Sequence, residues 1–321
     1  MRRLSVLVAI AFFPAAVLAQ LAGSERVEFP VRTAAGTTEN IFGFLFLPKD
    51  ATPGAKAPAM VVVHGSGGVG DRREGDWGRA LSAVGIAVLA IDSFTPRGVR
   101  STAEDQTRVS QQQMVRDAYG ALAFLAARNT IDAERVGVMG MSKGGSVALD
   151  AADERTQQSG RFAVYVPFYP GCTFQFRNPR MKGPMLMLIG ANDDYTGVKT
   201  CSEYVERIRA AGASVEIKIY PGAHHGFDGD TSNFREAWVP RAQNYRDCVI
   251  YVEDDRRAVT KAGTPLDLRQ PREAFEVLKR ECLRSGATFG GNASVKQRAH
   301  EDVKAFLKTH LVRQLDPSKE N

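Results

Sequence analysis

Five short apolar runs, at 59–64, 86–91, 135–139, 162–168 and 185–189, recur along this 321-residue chain, and helical patterns separate most of them. Such runs are apolar on both sides of the pleat, so both faces of the sheet they build must be covered. Between 104 and 128, the spacing of Val109, Met114, Val115, Ala118, Leu122 and Leu125 is helical. Further helices are expected at 77–84, after Ser142, and at 198–211 before Gly212, and a last strand at 215–220. Two earlier segments, 25–33 and 41–47, flank Ala34-Ala35-Gly36 and read as an antiparallel entry to the sheet. The expected class is α/β: a mostly parallel central sheet with helices on both faces. Ligand-handling groups in such folds gather at the carboxyl ends of strands.

The ends and the composition narrow the reading. Arg2-Arg3 followed by an apolar stretch from Leu4, with Val17-Leu18-Ala19 before Gln20, reads as a signal peptide over 1–19. That stretch is shorter than the ~18–20 residues needed to span a bilayer, and no other segment is apolar enough to do so. One domain is expected over 20–321, in an exported protein, periplasmic or secreted. Net charge is +6, and +4 without Arg2 and Arg3. The charges are scattered, with no basic run, so nucleic acid is not an expected partner. In an oxidising compartment the four cysteines would pair. Three connectivities are open; Cys172–Cys201 and Cys248–Cys282 are expected because each pair brackets one local region. No cluster of Cys or His has the spacing of a metal site.

Gly140-Met141-Ser142-Lys143-Gly144 follows the third apolar run and precedes a helical pattern. G-x-S-x-G at a strand-to-helix turn lifts the serine hydroxyl out of the sheet near the positive end of a helix, which makes Ser142 a candidate nucleophile. The pentapeptide by itself also fits a surface serine at an ordinary junction. Acyl transfer further needs a base, an acid to orient it, and donors for the oxyanion. Of five histidines, His224 and His225 follow the last strand; His300 and His310 lie on the final helix, where a solvated place is expected. The residues alone do not choose between His224 and His225. The acid is expected at Asp193, after the 185–189 strand, with Asp194 in reserve. Oxyanion donors are expected from the N–H of Lys143 and from Ser66 or Gly67 in His64-Gly65-Ser66-Gly67-Gly68. His64 itself is expected to be structural. That glycine loop matches neither nucleotide-binding pattern.

Taken together, His64-Gly65-Ser66-Gly67-Gly68, Gly140-Met141-Ser142-Lys143-Gly144-Gly145, the Gly190–Asp193 turn and Pro221-Gly222-Ala223-His224-His225-Gly226-Phe227 resemble the dienelactone hydrolase family of α/β-hydrolases. The resemblance covers roughly 40–229 and resumes near 286–311. It implies the α/β-hydrolase fold, places the catalytic histidine at His225 and the acid at Asp193, and implies no metal or organic cofactor. It also sets Arg97 in a loop comparable to the family's carboxylate-binding arginine; a structural ion pair is the alternative reading. Two departures stand out. Dienelactone hydrolase itself uses a cysteine nucleophile where this chain has Ser142, which favours general ester hydrolysis. About 55 residues, at 230–285, separate the histidine loop from the last helix, and a disulfide-stapled insertion is expected there, as a lid, a pocket wall or a surface addition. The expected activity is a serine hydrolase acting on small carboxylic esters or lactones. A peptidase or acyltransferase on the same fold, or a non-catalytic exported binding protein, are the alternatives. Oligomeric state is not legible.

Overall fold

The computed structural model describes residues 21–49, 54–158, 160–232 and 236–312, and the expected signal peptide at 1–19 lies outside them. β1 (Glu25–Arg32) and β2 (Thr38–Phe46) form an antiparallel hairpin, and β2 pairs antiparallel with β4 (Ala87–Asp92). All remaining pairings in the main sheet are parallel, through β3 (Ala57–Val63), β5 (Ile131–Met141), β6 (Tyr165–Phe168), β8 (Met185–Gly190) and β9 (Val215–Tyr220). The order is β1-β2-β4-β3-β5-β6-β8-β9. β4, β6 and β8 are buried at every residue, so both faces of the sheet are covered. On the edge strand β1, only Val27, Phe29 and Val31 point inward.

The helices are α1 (Asp76–Ser82), α2 (Gln111–Ala126), α3 (Lys143–Ala151), α4 (Val198–Ala210), α5 (Pro271–Glu281) and α6 (Ala293–Leu307). α2 packs on α3, where the Tyr119 hydroxyl donates to Ala151 O (3.0 Å). α1 meets α6, where Trp77 stacks on His300 with ring centroids 3.7 Å apart. His300 is therefore not the solvated residue expected on the last helix; half-buried, it gains more from the indole face than from water. α2 also begins later than 104. Ser110 and Gln113 close a capping box, with the serine hydroxyl accepting from Gln113 N and the glutamine side chain accepting from Ser110 N. The residues before them form a loop that reaches the site. Among the described residues no helix is long and apolar enough to cross a membrane.

The stretch beyond the histidine loop, where the insertion is expected, is built mainly of short strands. β10 (Ala237–Asn244) pairs antiparallel with β14 (Arg284–Phe289) in a two-stranded ribbon. A four-stranded sheet, β13-β12-β11-β7, joins β11 (Ile250–Val252), β12 (Ala258–Thr260) and β13 (Pro265–Leu266) to β7 (Phe174–Phe176). With α5 it encloses a small core of Ile250, Ala258, Leu266, Ala274 and Leu278. Cys172 is bonded to Cys201 and Cys248 to Cys282.

Candidate active site

Ser142 sits between β5 and α3 with φ 55° and ψ −113°, a conformation that non-glycine residues avoid. The turn is packed too tightly for side chains on its flanks. A Cβ on Gly140 would lie 2.2 Å from Gly144 O, and one on Gly144 would lie 2.1 Å from Val63 O. The Ser142 N–H is spent on Phe168 O (3.0 Å), which ties the turn to β6. Backbone strain at a functional position persists only where surrounding contacts over-determine it, as they do here.

Three loops after three strands converge. Ser142 Oγ lies 2.8 Å from His225 Nε2, and His225 Nδ1 lies 2.9 Å from Asp193 Oδ2. With Nδ1–H donating to the carboxylate, Nε2 is left to accept from the serine hydroxyl. Asp193 Oδ1 accepts from Tyr195 N (3.0 Å) and Thr196 N (2.9 Å), and Oδ2 accepts from Thr196 Oγ1 (3.0 Å). Burial pushes the Asp193 carboxyl up; the His225 charge and hydrogen bond, with the Thr196 and Tyr195 N–H groups, outweigh it and hold the pKa below the usual range. The imidazole is ringed by aromatic groups: Tyr169, Tyr195 and Phe289 have centroids 4.6, 4.8 and 5.4 Å from it.

His224 turns the other way, with Nε2 3.4 Å from Glu236. Asp194, the reserve acid, does something the sequence reading missed. Its Oδ1 accepts from Thr288 N (2.7 Å) and its Oδ2 from Thr288 Oγ1 (3.1 Å), so it fastens β14 to the turn that carries Asp193. β14 then runs into the site: His225 and Phe289 form a parallel bridge, and Gly290 N donates to His225 O (3.1 Å). The inserted ribbon is thus a wall beside the imidazole. His64 is structural as expected: Nδ1 donates to Gly65 O (2.7 Å), Nε2 accepts from Ser93 N (3.2 Å), and burial lowers its pKa.

Lys143 is the first residue of α3, so its backbone N–H has no partner within the helix. The Gly65–Ser66 loop approaches the same turn, since a Cβ on Gly65 would come within 3.5 Å of Ser142 Cβ. Arg97 is held in an ion-pair network. Its guanidinium has five N–H donors. Nε and Nη2 donate to Glu39, Nη1 to Ser93 O, and Nη1 and Nη2 to Asp117, at 2.7 to 3.1 Å. Every donor is engaged by the buried Asp117, by Glu39 or by Ser93 O, which is the arrangement of the ion-pair alternative.

A second polar cluster lies beneath the site and was not legible in sequence. Asp228 accepts from Trp77 Nε1 (3.1 Å) and from the Tyr169 hydroxyl, and lies 3.7 Å from Arg73 Nε. Burial pushes the neighbouring Glu74 up to about 7, against the pull of Arg73 and the Gly70 N–H. The only signal for it was the acidic residue after Phe227, whose partners are distant in the chain. Among the described residues no group of His, Cys, Asp and Glu has the arrangement of a metal site.

Sheet order, strand-turn-helix elbow and helix placement together define an α/β-hydrolase, and the class is that of carboxylic ester hydrolases. More narrowly, the chain belongs to the dienelactone hydrolase family, whose model matches residues 41–247. A Bradyrhizobium protein named as a probable 2-oxo-3-(5-oxofuran-2-ylidene)propanoate lactonase is 25% identical over 216 residues, covering 61% of this chain and 84% of that one. A Klebsiella pneumoniae structure assigned to the dienelactone hydrolases superposes with a TM-score of 0.52 at 25% identity, covering 64% of this chain and 89% of that one. An esterase of Thermogutta terrifontis shares the fold, with a TM-score of 0.53 at 17% identity and coverage of 66% and 86%. The family match ends at 247, one residue before Cys248, so most of the insertion lies beyond it.

Proposed function

We propose that this protein cleaves small carboxylic esters or lactones through a covalent acyl-enzyme on Ser142. The observation that carries this is the unbroken chain from Ser142 Oγ to His225 to Asp193, at 2.8 and 2.9 Å. Ser142 Oγ bonds to the carbonyl carbon while its proton passes to His225 Nε2. The Lys143 N–H, with that of Ser66 or Gly67, receives the oxyanion. Collapse breaks the carbon–oxygen bond to the leaving alcohol, which takes the proton from His225. Water then gives a proton to His225 and adds to the acyl carbon, and Ser142 leaves with that proton. Asp193 keeps the imidazole in the working tautomer and offsets its transient charge. The aromatic ring of Tyr169, Tyr195 and Phe289, with Arg97 fully paired, supports neutral esters over carboxylated ones. The two disulfides suit an exported protein, which is the reading adopted for the 1–19 segment, with 20–321 as one domain bearing the insertion.

The test is labelling with a fluorophosphonate alongside p-nitrophenyl acetate hydrolysis. The wild type is expected to be labelled on the peptide containing Ser142, and Ser142→Ala to lose both label and hydrolysis. Hydrolysis surviving in Ser142→Ala at the wild-type rate would remove the serine mechanism.

A further inference from the structure

Lys143 has a second contact with the proposed chemistry, through its side chain. The ammonium is buried, at 8% residue exposure, and reaches from the start of α3 into the 98–110 loop. Nζ donates to Gln106 O (2.9 Å), Gln106 Oε1 (3.1 Å) and Thr102 Oγ1 (3.3 Å). Those three acceptors match its three donors. The same loop grips Ser66. Thr102 N and Ser101 Oγ both donate to Ser66 O, at 2.8 and 2.9 Å. The Gln106 side chain bonds the Ser66 hydroxyl, with Nε2 at 3.0 Å. Thr102 and Gln106 therefore each touch Lys143 on one side and Ser66 on the other. A buried lysine costs desolvation, and a core position beside Phe94 would take an apolar side chain at less cost.

We propose that the Lys143 side chain is a positioning residue that sets the spacing of the two oxyanion donors. Its own N–H supplies one donor; its ammonium, through Thr102 and Gln106, holds the Ser66–Gly67 loop that supplies the other. This rests on Ser142 being the nucleophile. It also explains why α3 opens on a long cation whose charge ends in a loop and not in water. The charged and titratable groups that face Nζ are Asp105 on the same loop and His64 at the end of β3. Burial brings the lysine pKa down to about 8. As pH rises through that value the ammonium loses one N–H and its charge, and the grip on Gln106 slackens.

The experiment measures p-nitrophenyl acetate hydrolysis, fluorophosphonate inactivation and thermal unfolding for Lys143→Met, Lys143→Arg, Gln106→Ala and Lys143→Met/Gln106→Ala. A misplacement of about 1 Å at a reacting centre costs on the order of 100-fold. Lys143→Met is expected to lose roughly 10- to 100-fold in kcat with KM within about threefold, and to be inactivated more slowly in proportion. The double variant is expected to be no worse than Lys143→Met, because both changes cut one connection. Wild-type kcat is expected to decline above about pH 8, and that limb to be absent in Lys143→Met and moved upward in Lys143→Arg. A folded Lys143→Met with wild-type kcat, or losses that multiply in the double variant, would overturn the positioning role. If Lys143→Met does not fold, Gln106→Ala decides: a loss near tenfold in kcat supports the role and an unchanged kcat removes it. An unlabelled wild type would take down the Ser142 reading and this one with it, whereas a labelled wild type with unaffected variants takes down this one alone.

Discussion

Asp193 and Asp194 follow one another at the end of β8, and their carboxylates serve different partners: one orients His225, the other holds Thr288. The two are separable by substitution. Asp193→Asn keeps the shape of the side chain but offers a donor where an acceptor is needed, so the imidazole settles in the wrong tautomer. A loss of roughly 10⁴-fold in kcat is expected, with unfolding temperature little changed. Asp194→Asn keeps one acceptor for Thr288 N. It is expected to cost about 1 kcal/mol of stability, with any kinetic effect in KM, since the ribbon and not the acid is loosened. Steady-state kinetics and melting curves on the two variants check both halves; equal kcat losses would mean that the division of labour is wrong. At this scale the three groups that the structure brings together, Ser142, His225 and Asp193, each lie in a short local pattern, and it was the family resemblance that separated His225 from His224. The sequence offered Asp194 only as a reserve acid, because its partner Thr288 lies 94 residues away, and it left Arg97 between two roles, because Asp117 and Glu39 arrive from other elements.

Elements with strong period were legible for the same reason. Strands β3, β6 and β8 are apolar throughout, and α2, α4 and α6 carry clear stripes. The start of α2 was misplaced because apolar spacing continues into residues that a capping box at Ser110 excludes. β10 could not be seen, since nearly all of it faces solvent and shows no alternation. The contact between α1 and α6 makes a pH-dependent prediction. Stacked on Trp77, His300 is held by burial at a pKa of about 4, below the ordinary 6.5. The unfolded chain thus binds this proton more readily than the folded one. Stability from the neutral ring is fully present above pH 6.5 and is lost progressively as pH falls towards 4. His300→Phe keeps the stack without the titration, so its melting temperature is expected to fall less between pH 7 and pH 4 than that of the wild type. Parallel melting curves across that range would contradict the assignment.

Among the described residues there are two cores of very different size. The main one spans the eight-stranded sheet and its helices, while the one in the insertion rests on Ile250, Ala258, Leu266, Ala274 and Leu278. Five apolar side chains do not hold a unit of this size unaided, and such units are usually stapled. The Cys248–Cys282 bond joins the entry of β11 to the end of α5 across a separation of 34 residues. Cys248→Ser/Cys282→Ser is expected to lose about 2–4 kcal/mol, with new protease cuts confined to 248–282 and the main sheet intact. Cuts spread evenly over the chain would show that the staple supports the whole fold instead. The cysteines are also unevenly placed: all four come after residue 171, and 142 precedes every one of them. The strand and helix that flank the serine turn, and the glycine loop that faces it, contain no cysteine. Both crosslinks lie in the part of the chain that also presents the histidine and its carboxylate. Oxidation therefore acts on the later part of the chain, where the histidine and its carboxylate lie, and on nothing that precedes them at the serine.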